Sequence, residues 1–183
     1  ATHIAIVEDI SARKESEEVI KKSEIRFKSL FEDSPFPLWE EDFSEVKNYL
    51  EKLNLINERP ETVSLYFKTH PDVVDKCISL LKIIDVNAMC LKLHKVKTKE
   101  ELIIGLSQFI DEKSISAVIT QLIAITQGEK KLILDTKIKN SKGEYRDINL
   151  RWNVIHGYEK IFERIIKKKK KITDRKSSEN NIL

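Results

Sequence analysis

An α+β domain built on an antiparallel sheet is the fold class this sequence predicts, and three observations predict it. Apolar residues recur at helical intervals through long stretches, as in Phe43, Val46, Tyr49, Leu50 and Leu53. After Gly128 the period switches to two, with Leu132, Leu134, Thr136 and Ile138 alternating with Ile133, Asp135 and Lys137. Asn140-Ser141-Lys142-Gly143 then reads as a hairpin turn, and Ile148, Leu150, Trp152 and Val154 alternate with Asn149, Arg151 and Asn153 on its far side. A chain of 183 residues, 40% apolar and 34% charged, can bury one core of ordinary size with helical flanks.

The elements follow in order. His3 to Asp9 is short and rich in β-branched residues and reads as a terminal strand. From Ser11, a candidate N-cap, the pattern turns helical, with Ile20, Phe27, Leu30 and Phe31 on one side at spacings suited to a coiled-coil seam or to an amphipathic helix lying on its own domain. Ser34-Pro35-Phe36-Pro37 ends that helix, because proline lacks a donor and disfavours helix in the residue before it. Leu38 to Asp42 reads as a first strand, Phe43 to Leu53 as a helix, Asn54 to Pro60 as a turn, and Thr62 to Phe67 as further regular structure. Pro71 at a first helical position, with Asp72 in the first turn, opens a helix carrying Val73, Val74, Cys77, Leu80 and Leu81. Lys82 to Asn87 is a brief strand closed by Asn87, and Ala88 to Leu93 is one or two helical turns. Lys113 or Ser114 opens a longer apolar helix that Gly128 terminates, since glycine tolerates the left-handed cap conformation. A turn at His156-Gly157 precedes a third closing strand beginning at Ile161.

Two stretches near opposite ends are near-copies at one offset. Ile10, Ser11, Arg13, Lys14, Ser16, Glu17 and Ile20 match Ile172, Thr173, Arg175, Lys176, Ser178, Glu179 and Ile182. Such recurrence reads as a tandem module, the alternative being a chance match of two charged helix starts. The organisation expected is a tail of a preceding unit over residues 1–10, an amphipathic linker helix over 11–33, the domain over 34–172 and the start of an exit linker over 173–183.

Composition narrows the function classes. No apolar run is long enough to cross a bilayer, so a cytoplasmic location is expected, with a parent protein that is free or membrane-attached through other segments. Cys77 and Cys90 are unclustered and sit in apolar patterns, which suits buried thiols in a reducing compartment. The net charge of +3 is uneven: Lys160 to Lys176 holds nine basic and two acidic residues, so any basic surface is local. Four glycines form no phosphate-binding loop, and His3, His70, His94 and His156 form no metal-ligand spacing.

Pro37 to Lys47, His70-Pro71, Ile84-Asp85-Val86-Asn87, Lys99-Glu100-Glu101-Leu102 and Arg146 to Trp152, in that order, resemble a PAS domain of the kind found in bacterial and archaeal multidomain sensor histidine kinases, with a helical insert after the first strand. Asp9-Ile10-Ser11-Ala12-Arg13-Lys14 looks like the exit sequence of an upstream copy. The resemblance implies a sensory or relay module of a two-component system that passes a ligand- or partner-induced change through its flanking helices, with no catalysis in this chain. It implies neighbouring PAS and output domains as partners and a homodimer through the linker helix. Asp9, Ile10, Arg13, Ile172 and Arg175 become the candidates for signal coupling. The pattern departs at Lys167 to Lys171, where the family has apolar strand residues and an exit aspartate. Alternation would turn at least two of these lysines inward, so the last strand is expected to fray after Ile166.

Trp39, Met89, Cys90, Leu93, Phe109, Ile119, Leu134, Leu150 and Trp152 are the candidates for lining or filling the interior, either as plain core or around a small apolar or aromatic ligand. The cofactor is unknown. Cys90 lacks the Arg and Gln companions of a flavin site, and the helix from Ser114 to Gln127 has no histidine for haem, so neither is expected. Glu40-Glu41-Asp42 reads as a solvated strand end and His94 as a satisfied core or surface histidine. A diguanylate cyclase output, a ligand-free dimerisation spacer and a basic nucleic-acid-binding module are the alternatives. The lysine run has no interleaved aromatics, so specific nucleic-acid binding is not expected.

Overall fold

The computed structural model describes residues 2–172, with side chains from residue 10 onward except that of residue 107. It divides into two units, residues 1–34 and 35–183. The first is a single helix, α1 (Thr2–Glu32). It corrects the reading of His3 to Asp9 as a strand and of Ser11 as an N-cap, since helix runs unbroken through both. Alanine, glutamate, lysine and arginine interleave from Ala5 onward, and their helical preference carries the β-branched residues with them. Arg13 pairs with Glu17 one turn on, at 3.0 Å, and Phe27 stacks on Phe31.

The second unit comprises β1 (Leu38–Asp42), α2 (Ser44–Lys52), α3 (Pro60–Thr69), α4 (Pro71–Leu80), β2 (Lys82–Val86), α5 (Ala88–His94), α6 (Lys99–Ile104), a 3-10 turn (Leu106–Phe109), α7 (Ile115–Thr126), β3 (Lys131–Lys139), β4 (Tyr145–Val154) and β5 (Ile165–Lys171). Pro60 and Pro71 occupy the first turns of α3 and α4, where the missing donor costs nothing. At the end of α7, Gly128 takes φ 68°, its N–H donates to the Ile125 carbonyl, and the Glu129 N–H donates to that of Ala124. That pair of bonds is a Schellman cap, which needs the left-handed conformation glycine supplies. The α2–α4 segment is the helical insert after the first strand.

All strand pairs are antiparallel, and the order across the sheet is β2-β1-β5-β4-β3. The last strand is therefore the central one. β5 pairs with β1 through Leu38↔Lys168 to Glu41↔Ile165, and with β4 through Ile148↔Lys171 to Val154↔Ile165. This corrects the expectation that the lysine run frays: the strand reaches Lys171 because neighbours on both sides satisfy its backbone, and the inward-turning part of the expectation stands, with Lys167 and Lys169 buried.

Asn87 ties the start of β1 to α5. Its Oδ1 accepts from the Leu38 and Cys90 N–H groups at 3.0 and 3.2 Å, and its Nδ2 donates to the Phe36 carbonyl at 2.9 Å. At the far hairpin, Asn140 Oδ1 accepts from the Lys142 and Glu144 N–H groups and Gly143 takes φ 78°. The main core lies where α2, α3, α4 and α7 meet the sheet, with Val46, Leu50, Val63, Phe67, Cys77, Ile125, Trp152 and Ile165 all essentially inaccessible. Trp152 packs edge-on against Phe43 and tilted against Phe162. Trp152→Ala should lower stability by about 3–5 kcal/mol in chemical denaturation, the usual cost of deleting a fully buried large side chain.

Candidate functional site

A part-open cavity of about 100 Å³ lies between the inward face of the sheet and the α4, 3-10 and α7 segments. Phe43, Ile78, Leu106, Phe109, Val118, Leu122 and Leu150 supply apolar walls, while Glu41, His94, Ser114, Gln121, Lys167 and Lys169 supply polar ones. Ile78, Leu81, Leu106 and Ile110 also line a surface groove of about 640 Å³, so the cavity and the groove adjoin.

Strand alternation places these polar groups. On β5, Ile165, Lys167 and Lys169 turn inward; on β1, Trp39 and Glu41 do so. Lys167 Nζ lies 2.5 Å from Glu41 Oε2, with both side chains under a tenth exposed. The contact is an ion pair without the alignment of a hydrogen bond, and the oxygen has no other partner. Glu40, one residue earlier, is buried too and pairs with Arg164 of the segment leading into β5. The acidic cluster is therefore not a solvated strand end: two of its three carboxylates are buried against cations brought from more than a hundred residues away. Asp42 turns back to accept from the Ser44 N–H at 2.8 Å.

Lys169 is 8% exposed and forms no ion pair among the described residues. Its Nζ lies 4.1 Å from the centroid of the Trp39 ring and 3.5 Å from His94 Nε2, the outer limit of a hydrogen bond. Burial pushes this ammonium down to about 8, and Lys167 adds to the effect, while Cys90 and Glu41 oppose it. Burial, reinforced by Lys169, also holds His94 down to about 2, so its ring is neutral. His94 packs edge-on against Trp39 and tilted against Phe109. The Lys139 backbone pulls its pKa the other way, but Nδ1 has no hydrogen bond of good geometry. Trp39 Nε1 and Gln121 Oε1 are likewise buried without partners, although Gln121 Nε2 donates to the Ala117 carbonyl at 2.9 Å.

Of the interior candidates, Trp39, Phe109 and Leu150 line this cavity. Cys90 lies in the core behind Trp39, its Sγ donating to the Leu38 carbonyl at 2.9 Å and its thiol pushed up to about 12 by burial. Trp152 and Ile119 belong to the main core, and Leu134 packs beside Leu150. Met89 and Leu93 line a surface depression with Phe36, Lys169, Lys170 and Lys171, so Lys169 borders both spaces. The sequence reading missed Glu41, His94, Gln121, Lys167 and Lys169 as cavity residues. The signal for the two lysines was their alternation in β5, and nothing local marked the others.

The coupling candidates fall differently. Asp9 and Ile10 lie inside α1, which corrects the strand-to-helix corner expected there. The Ile172 N–H donates to the Asp147 carbonyl at 3.0 Å, and Arg175 lies outside the described residues with most of the second near-copy. Among the described residues no group of three or more His, Cys, Asp or Glu side chains could hold a metal, and no helix is long and apolar enough to cross a membrane.

The fold of this chain is shared with solved structures. They include the PAS domain of an HTR-like protein from Haloarcula marismortui, at 15% identity and a TM-score of 0.50, covering 87% of this chain and 99% of that one. The chain has the PAS fold. A LOV protein from Rhodobacter sphaeroides is also similar, at 14% identity and a TM-score of 0.52, covering 82% of this chain and 68% of that one. No protein-family model and no curated protein sequence matches the chain.

Two predictions follow from the buried charges. Glu41→Leu should cost about 3–5 kcal/mol by stranding Lys167, whereas Glu41→Leu combined with Lys167→Met should be neutral or stabilising by up to about 4 kcal/mol, as read by denaturant titration of both variants. The pH dependence has a definite sign. Between about 2 and 6.5 the unfolded chain protonates His94 and the folded chain does not, so stability is lost as pH falls through that interval, and His94→Phe should flatten that part of the profile. Between about 8 and 10.5 the unfolded chain holds the Lys169 proton that the folded chain releases, so stability rises with pH. The thiols of Cys77 and Cys90, held up at about 12, oppose that rise above pH 9. Lys169→Met should therefore remove a rise visible between pH 8 and 9 in thermal melts.

Proposed function

We propose that this chain is a sensory or relay module of a signal-transduction protein. The observation that carries the reading is that β5 does two things. It walls the cavity with Lys167 and Lys169, and it is the last strand before residue 172. A change in what the cavity holds acts first on the strand that leads out of the domain. A ligand or partner shifts the output only by as much as it prefers one of the two arrangements of the module, and buried charges on that strand make such a preference large.

The parent protein in this reading is a sensor histidine kinase, on the strength of the sequence resemblance, with a diguanylate cyclase as the other output. Homodimerisation through α1 is part of the proposal: Ile20, Phe27 and Leu30, spaced by seven and three, are 57%, 43% and 65% exposed. The nucleic-acid alternative loses ground because Lys167 and Lys169 face the interior, which leaves fewer charges of the run for a phosphate backbone.

In the parent protein, a Glu41→Gln substitution should change basal autophosphorylation several-fold while leaving the KM for ATP unchanged. An unaltered rate, or a downstream sequence without an output domain, would overturn the reading. For the helix, Ile20→Asp combined with Leu30→Asp should convert a dimer to a monomer in native mass spectrometry.

A further inference from the structure

The cavity carries one positive charge too many. Lys167 and Glu41 cancel at 2.5 Å, His94 is neutral, and Lys169, only 8% exposed, has no ion-pair partner among the described residues. A buried ammonium without an anion costs several kcal/mol, and a protein usually meets that cost with a carboxylate or removes it by substituting an apolar residue. Here it is met by the Trp39 ring face, a distant ring nitrogen and the longer-range attraction of Glu41. A second buried donor, Trp39 Nε1, also lacks an acceptor, and Gln121 Oε1 is an acceptor on the same wall system without a donor. Glu41 Oε2 and His94 Nδ1 are also without hydrogen bonds, and among these groups the Lys169 ammonium and the Trp39 indole call for an anionic head of hydrogen-bond-accepting oxygens on a short, compact body.

We propose that this cavity binds a small monocarboxylate, with Lys169 as the anchor for its carboxylate and Leu106, Phe109 and Val118 around its carbon body. The charge count selects a monoanion, because Glu41 already neutralises one of the two lysines and repels a second negative charge. Size sets the other limit. An apolar cavity of about 150 Å³ holds benzene, so about 100 Å³ admits about four or five non-hydrogen atoms. Acetate and propionate, with about four and five such atoms, fall within that size, and lactate, with about six, lies just above it. The adjoining groove beside Ile78, Leu81 and Ile110 supplies a route of entry. Binding would draw Lys169 towards its fully charged form, a proton-linked change on the central strand in reach of Glu41, Lys167, His94 and Cys90.

This inference deepens the sensory reading and is separable from it. The test uses the 183-residue chain with sodium acetate, propionate and lactate, and with chloride and phosphate at matched ionic strength. The acids should raise the thermal midpoint saturably at millimolar concentration, and chloride and phosphate should not. Lys169→Met should weaken the response at least 10-fold, while Lys170→Met, on the exposed side of the same strand, should leave it unchanged. Magnetisation transfer from the Trp39 indole and Phe109 ring to the bound acid should place it in the cavity of the unsubstituted protein, independently of whether Lys169→Met folds. Equal stabilisation by chloride would overturn the carboxylate assignment. An undiminished response in Lys169→Met, transfer from other residues only, or no binding at all would overturn the site. Binding of the acid with no change in the parent protein's output would instead overturn the sensory reading and leave the site standing.

Discussion

The structure depends on a last strand that is also the central strand, running between β1 and β4 with two lysines turned inward. Backbone pairing on both sides commits β5 to an extended conformation whatever its side chains are, and the pleat then delivers Lys167 and Lys169 to the interior. Everything polar in the interior answers to that commitment. Glu41 is buried because Lys167 needs a counter-charge, His94 is neutral beside Lys169, and Trp39 lies under the ammonium with its ring face. A run of lysines can serve as a core strand because Glu41 of the neighbouring strand reaches Lys167, because the Trp39 ring lies under Lys169, and because each lysine has a long apolar stem to bury.

The balance of these charges is what separates this interior from a plain core. Apolar replacements of similar size would be no less stable at such positions, so the ion pair and the unaccompanied ammonium are poor devices for stability. They are effective devices for making the fold's energy depend on charge inside the cavity, whether from a proton or an anion. The cavity sits against the strand that ends at Lys171, so that dependence is located on the central strand of the sheet.

Legibility followed the range of the interactions. The hairpin at Asn140 to Gly143, the Pro71 and Gly128 boundaries, and the strand end at Asn87 are set by residues within a few positions of one another, and the structure reproduces them. The N-terminal segment shows where local reasoning runs out. The β-branched residues from His3 to Val7 are compatible with strand or helix, and only the continuous helical run that follows them decides for helix. The acid cluster shows the complementary case. Glu40 and Glu41 look solvated from their neighbours in sequence, and their burial depends on Arg164 and Lys167, which the strand order brings alongside.

The amino-acid sequence by itself determined the class of fold, the hairpin of the two long strands with its turn, and the fact that alternate lysines of the run must face inward, because each of these is written in spacing of two, three or four residues. The tertiary structure decided the rest: that the strand does not fray, that Glu41 is the partner of Lys167, that Lys169 has none, and that Trp39, Phe109 and Leu150 rather than Met89 or Trp152 border the cavity. The physical reason is register. Which residue of β1 lies opposite which lysine of β5 depends on how two segments more than a hundred residues apart settle side by side, and a shift of one position would exchange the buried face for the exposed one.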